Sequence, residues 1–260
     1  MKTIHLSLLS ALAFLLLLTA TLASRSMASK SSITKKIKGD GFVVLELFTS
    51  EGCSSCPPAD ELLAKVQREA GDKPVYVLSY HVDYWDHQGW RDMFSNPDYS
   101  KRQYDYASKL GAQVYTPQVV VNGKTEFVGS NRSALDFALL SGLNGSPASS
   151  LQLRGTQRNG KLELGYQISE KTEEDELLIA VVQKNAIHQI KRGENEGRTL
   201  SHAQIVRSLQ NFSLQQSKSG KVEVTLPKDY NLAGWEIIGL LQGKKNRAIH
   251  AASRAALTGM

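Results

Sequence analysis

The run Phe42-Val43-Val44-Leu45-Glu46-Leu47-Phe48 is short, apolar and rich in β-formers, and two cysteines follow it at Cys53 and Cys56. Pro57 and Pro58 come next, at a place where a missing N–H is tolerated because the first helical N–H groups have no partner in any case. Leu62, Leu63, Val66 and Ala70 recur at helical spacing, and Gly71 closes that helix. Val75 to Tyr80 reads as a second strand. Strand, helix and strand joined this closely pair in parallel, which commits the chain to an α/β architecture. The cysteines are thereby placed where a strand ends and a helix begins.

The remaining pattern extends this unit. His81 to Gly111 is an excursion rich in Trp, Tyr and Asp, in which Asn96-Pro97 reads as a helix cap followed by proline, with Tyr99, Tyr106 and Leu110 on one face. Thr116-Pro117 precedes Gln118 to Val121, Asn122-Gly123 signals a hairpin, and Thr125 to Val128 returns. Asn131 introduces a last helix over Ser133 to Leu140. The order βαβ, helical insertion, ββα is that of a thioredoxin-like fold, assigned to residues 41–145. Gly, Ser, Asn and Pro crowd residues 141–150 as at a boundary. Beyond it Leu162, Leu164, Tyr166 and Ile168 alternate, Leu177 to Val182 is continuous, Val222, Val224 and Leu226 alternate, and Ile237 to Leu241 is apolar. With one helical stretch near Ser201 to Leu209, residues 150–260 read as a smaller β-rich, sandwich-like C-terminal domain.

The beginning of the 260-residue chain has another character. Lys2 precedes an apolar run from Leu6 to Leu18, and Thr21-Leu22-Ala23 offers small residues where a signal peptidase cuts, so residues 1–23 read as a signal peptide. The alternative is an uncleaved membrane anchor, since Leu6 to Ala23 approaches the roughly 20 apolar residues that a span needs. Removing residues 1–23 takes away Lys2 and no acid, which moves the formal charge from +6 to +5. Arg25, Lys30, Lys35, Lys36 and Lys38 make residues 24–40 a basic polar linker. No aromatic residues interleave with these cations, so nucleic acid is not an expected partner. The mature protein is expected to be secreted or periplasmic, without stable membrane insertion.

Cys53 and Cys56 are the whole cysteine inventory. A bridge closing so small a loop removes little chain entropy, so a purely structural role would stabilise little. At the head of a helix the first cysteine is favoured as thiolate. Cys53 is then expected to be the exposed nucleophile and Cys56, one turn inward, the resolving thiol. The expected function is thiol–disulfide exchange with exported protein thiols or a redox partner, requiring no cofactor. The alternative is a copper or zinc carrier using Cys53, Cys56 and His81, which stands at the end of the second strand on the same sheet edge. Thr116-Pro117 is the second element of the candidate site, expected as a cis-proline facing the cysteines, with the backbone before it pairing with substrate. Glu46 is the third, because a carboxylate buried in an apolar strand could accept the Cys56 proton. Trp85 and Tyr115 are expected to wall the substrate site. Trp85 and Trp90 alternatively bury against the inserted helix. Arg198 and His202, in a polar segment of the second half, are candidate ligand or interface residues.

With these motifs placed, the chain resembles a family of secreted thioredoxin-like proteins catalogued as domain of unknown function 1223. The resemblance rests on Val44 to Asp60, on His81-Val82-Asp83-Tyr84-Trp85-Asp86, on Tyr115-Thr116-Pro117-Gln118, and on Gly193-Glu194-Asn195 with Gly197 to His202. It implies the thioredoxin-like fold and export, and it supplies no substrate. Two features depart from thioredoxin itself. Ser54-Ser55 replaces the usual Gly-Pro, and Glu46 lies one residue further from the first cysteine than the buried aspartate does there.

Overall fold

A computed structural model describes residues 39–158, 161–171, 174–214 and 217–258. The expected signal peptide (1–23), and the linker as far as residue 38, lie outside the described residues. Among the described residues no helix is long and apolar enough to cross a membrane.

Strand β1 (Val43–Thr49) is buried along its whole length and pairs in parallel with β2 (Val75–His81), the two being joined by helix α1 (Pro57–Ala70). Helix α2 (Pro97–Leu110) follows, with Asn96 accepting the Asp98 N–H as its cap. Strands β3 (Gln118–Val121) and β4 (Thr125–Val128) form an antiparallel hairpin turned by Asn122 and Gly123, at φ 49° and 65°. Helix α3 (Arg132–Leu143) ends this part. It lies close on β1: a Cβ placed on Gly142 would stand 2.4 Å from Val43 Cγ2.

The second half is made of strands: β5 (Leu151–Arg158), β6 (Lys161–Ile168), β7 (Asp175–Gln189), β8 (Thr199–Ser213), β9 (Ser219–Thr225), β10 (Trp235–Gly243), β11 (Ile249–Arg254) and β12 (Ala256–Thr258). The helix expected near Ser201 to Leu209 is strand β8 instead. Its buried positions alternate through Leu200, His202, Gln204 and Val206, so the period is two. Histidine and glutamine occupy two of those inward positions and erase the pattern from hydropathy.

The strands form two sheets. An eight-stranded sheet runs β11-β10-β7-β8-β2-β1-β3-β4, and a four-stranded sheet runs β12-β5-β6-β9. The larger sheet therefore takes strands from both sides of residues 146–150, and the two groups meet in parallel at Ser79 opposite Ile205. Strand β7 uses both of its faces. Leu177, Ile179 and Val181 pack with Leu153, Leu164 and Ile237 between the two sheets. Leu178, Ala180 and Val182 join Val44, Phe48, Tyr80, Tyr99 and Tyr106 beneath α2.

Helix α2 thus covers strands from both halves. Its Tyr99 hydroxyl donates to the Val206 carbonyl on β8 at 2.9 Å. Its Arg102 is buried at the centre, with Nε 2.8 Å from Glu46 Oε1 on β1 and Nη1 3.1 Å from Gln242 Oε1 on β10. Tyr106 donates to the second Glu46 oxygen and accepts from Arg102 and Gln242. Burial opposes the guanidinium charge, but the Glu46 carboxylate more than offsets it and holds Arg102 protonated. Removing one member of such a pair leaves the other charge buried alone. Glu46→Leu is therefore expected to lower the unfolding free energy by about 3–5 kcal/mol in urea titration. The double variant Glu46→Leu/Arg102→Leu is expected to recover much of that loss.

Candidate functional site

Cys53 and Cys56 are joined in a disulfide, with Cα atoms 5.4 Å apart. The connection from β1 is tight: Cys53 N–H donates to the Ser50 carbonyl and Cys56 N–H to the Cys53 carbonyl. Cys56 is the N-cap of α1 and itself has helical dihedrals, φ −77° and ψ −40°. Ser55 Oγ lies 3.4 Å from Cys53 Sγ. Since Pro57 and Pro58 carry no N–H, this hydroxyl is a donor that the sequence pattern alone did not single out.

The structure brings the Thr116–Pro117 pair to the same place. The peptide between them is cis. Trp85 Nε1–H donates to Thr116 Oγ1 at 2.8 Å, while a Cβ on Gly52 would stand 3.2 Å from Trp85 Cβ. Trp85 therefore bridges the residue before Cys53 to the residue before Pro117. Ala59, in the first turn of α1, and Pro117 both close on Gly129. Tyr115 is placed differently, since its hydroxyl donates to Glu126 on β4.

Glu46 is not brought to the cysteines. A strand alternates its faces, and Val44, Glu46 and Phe48 point toward α2 while Leu47 and Thr49 point toward α1. The carboxylate is committed to Arg102 and Tyr106. The side chain on the α1 face is Asp60, which Thr49 Oγ1 bonds at 3.0 Å.

Cys53 is also not the exposed thiol expected at such a helix head. Both cysteines are 0 % exposed, although Ser54 and Ser55 between them face solvent. The cover comes from the turn between β7 and β8. The buried Asn195 donates through Nδ2 to the Glu51 carbonyl at 2.8 Å and the Cys53 carbonyl at 3.0 Å, and Arg198 holds its Oδ1. Glu194 accepts the Ser54 N–H at 3.0 Å. Gly193, at φ 79°, sits so close to Trp90 that an added Cβ would be 3.1 Å from the Trp90 Cβ.

Beneath the bridge lies a buried group of acids and imidazoles. Asp92 Oδ2 is 2.6 Å from His81 Nδ1 and accepts the Glu51 N–H at 2.8 Å. Glu51 accepts from Trp90 Nε1 at 2.8 Å, with His188 Nδ1 2.9 Å and His202 Nε2 3.2 Å from its other oxygen. The His81 and His202 rings meet edge to face with centroids 4.9 Å apart. Burial pushes Glu51 up, yet His202, Trp90 and His188 outweigh it and hold the carboxyl below its usual range, against Asp92. Burial also pushes Asp92 up, and His81 pulls it below its usual range. For His81 burial opposes the charge, and Asp92, Asp60 and Glu51 raise it nonetheless.

The metal alternative finds no support in this arrangement. Among the described residues no three His, Cys, Asp or Glu side chains are grouped so as to hold an ion, and His81 gives Nδ1 to Asp92. His202 and Arg198 do reach the site, one beneath the bridge and one behind its cover. Asp60 and Asn195 were not distinguished by sequence reasoning. The spacing of four between Cys56 and Asp60 was the available signal for the first.

The fold and the site define a mixed α/β protein with a buried Cys-x-x-Cys disulfide at a strand–helix junction, closed over by a strand turn from the C-terminal half. The chain belongs to the family described as protein of unknown function (DUF1223), whose pattern matches residues 44–242. It is similar to the crystal structure of protein AGR_C_4864 from Agrobacterium tumefaciens, at 26% identity and TM-score 0.65, covering 84% of this chain and 95% of that one. Ruminococcus gnavus β-glucuronidase also matches, at 10% identity and TM-score 0.22 over 42% of this chain and 15% of that one, a likeness too low to carry an argument. No curated protein matches.

The buried acids predict a pH response. Glu51 and Asp92 sit below their unfolded values, so the stability they confer is present above those values, near 4, and is lost as pH falls through the folded ones. His81 has the opposite sign, and its contribution is lost as pH rises through its raised folded value. His81→Gln is expected to lower stability at neutral pH and to flatten the acid fall, as read by urea unfolding across a pH series.

Proposed function

We propose that this chain is a thiol–disulfide oxidoreductase of thioredoxin-like organisation that acts on exported proteins. The observation that carries the reading is the Cys53–Cys56 disulfide, set between β1 and α1 and linked through Trp85 to the cis Thr116–Pro117 peptide. A substrate thiolate attacks Cys53 Sγ, the bridge opens, and Cys56 leaves as a thiolate that takes up a proton. A second substrate thiolate then attacks the mixed disulfide at the substrate sulfur. The substrate leaves oxidised, and the chain holds two thiols. The same steps run backwards when the chain is the reductant. Ser55 Oγ, beside Cys53 Sγ, stabilises the Cys53 thiolate.

Export is supported by the signal-like first 23 residues and by the disulfide itself, which persists in oxidising compartments. Because Cys53 is covered, exchange begins with displacement of the Glu194–Asn195 turn.

Two experiments test the reading. Cys56→Ser is expected to accumulate a mixed disulfide through Cys53 with a disulfide-bearing exported protein, and Cys53→Ser to abolish exchange. Equal exchange by Cys53→Ser and wild type would sink the proposal. Asn195→Ala removes the two hydrogen bonds to the Glu51 and Cys53 carbonyls, worth about 1 kcal/mol each, so reduction by a protein thiol is expected to quicken by up to about thirtyfold. An unchanged rate would show that the turn does not gate the bridge.

A further inference from the structure

Four polar atoms beneath the disulfide are buried without hydrogen-bonding partners in the protein: Asp60 Oδ1, His81 Nε2, and both ring nitrogens of His202. They belong to three elements from both halves of the chain: α1, β2 and β8. His202 Nε2 is 3.2 Å from Glu51 Oε1, close enough for charge attraction but off the line of a hydrogen bond. Buried polar atoms are nearly always paired, so a group of unpaired ones points to use rather than to packing.

Asp60 stands out among the acids there. Asp92 is engaged by His81, by Glu51 N–H and by Phe94 N–H, and Glu51 by Trp90 and His188. Asp60 spends Oδ2 on the Thr49 hydroxyl and leaves Oδ1 free. Its position relative to the bridge follows from the helix. Cys56 has helical dihedrals and its carbonyl accepts the Asp60 N–H, so the two side chains stand at i and i+4 on one face of α1. That face turns toward Thr49, His81 and His202.

We propose that Asp60 exchanges the proton of the Cys56 thiol, and that His202 and His81 are positioning residues that set its charge state from across the two halves. The proposal rests on the exchange reading above. When the bridge is reduced, the attacking thiolate forms a new S–S bond to Cys53, the Cys53–Cys56 bond breaks, and Cys56 leaves with the electron pair. Protonated Asp60 gives its proton to that thiolate and becomes a carboxylate, which the neighbouring imidazoles stabilise. In the reverse direction the Asp60 carboxylate takes the proton from Cys56. The new thiolate attacks Cys53 of the mixed disulfide, and the substrate leaves as thiolate. Burial raises the Asp60 carboxyl above its usual range. His202, His81 and the Thr49 hydroxyl pull it down, and Asp92 pushes it up. Those four groups, with Glu51 behind the imidazoles, are the ones that face it.

The test is the rate at which dithiothreitol opens the bridge across roughly pH 4 to 9, corrected for reagent thiolate. The wild-type rate is expected to fall as Asp60 loses its proton, with a midpoint above the usual aspartate value of about 3.9. Asp60→Asn keeps the Thr49 contact and is expected to be about a hundredfold slower below that midpoint, with no step in the profile. His202→Gln is expected to move the midpoint upward, a change that loss of packing alone does not produce. If both variants keep the wild-type rate and midpoint while dithiothreitol opens the wild-type bridge, the proton role is wrong and the exchange reading stands. If dithiothreitol does not open the wild-type bridge, the exchange reading itself falls, and this proposal with it.

Discussion

The pairing of Glu46 with Arg102 organises this molecule. Both charges are buried, and each is tolerable only because the other is present. Arg102 also bonds Gln242 on β10, and Tyr106 joins both partners from the same helix. The network therefore ties β1 to a strand that lies almost two hundred residues away in sequence. No side-chain polar atom of these four residues is left unpartnered. Around it, α2 adds the Tyr99 bond to β8 and an ion pair from Asp105 to Arg247. Together these fix how strands β7 and β8 run alongside β2, where direct backbone pairing is confined to Ser79 and Ile205.

That alignment decides what reaches the cysteines. Strand β8 begins next to α1, so His202 enters the space behind the bridge, and the turn before it carries Asn195 over Cys53. Two buried polar clusters then contrast. The Glu46 network on the α2 face is fully paired and holds elements together. The cluster on the α1 face is partly unpaired and contains three imidazoles and three acids. Sequences that fold well satisfy their buried polar groups, and the exceptions concentrate where chemistry is done. Four unpartnered atoms gather beside α1 at the candidate site, while the Glu46 network under α2 is paired throughout, and both clusters flank the same strand.

Much of the first half was legible because its signals are local. The apolar run before Cys53, the prolines at the head of α1, the Asn caps and the Asn-Gly turn each act within a few residues. Glu46 shows where local reasoning stops. Its burial follows from the strand pattern, but its partner is 56 residues away on α2, and the pleat sends it to the face opposite α1. Strand β8 shows a second limit. Histidine and glutamine at inward positions look like a polar helix face until the pairing of β8 with β7 is known. The burial of Cys53 could not be read at all, since it depends on a turn about 140 residues distant.

The cover and the acid cluster also constrain one another. Asn195 bonds the Glu51 carbonyl, and Glu51 in turn faces His188 and His202 from the strands on either side of that turn. A displacement of the turn that uncovers Cys53 therefore disturbs the partners of Glu51 in the same motion. Admitting water and a substrate thiol would weaken the desolvation that keeps these groups away from their ordinary protonation. Access to the sulfur and the proton affinity of the groups behind it are thus coupled through one β-hairpin. On the proposed exchange reading, a substrate that displaces the turn would uncover the bridge and relax the buried acids together. The C-terminal half thus supplies side chains to the candidate site from both strands and the turn between them.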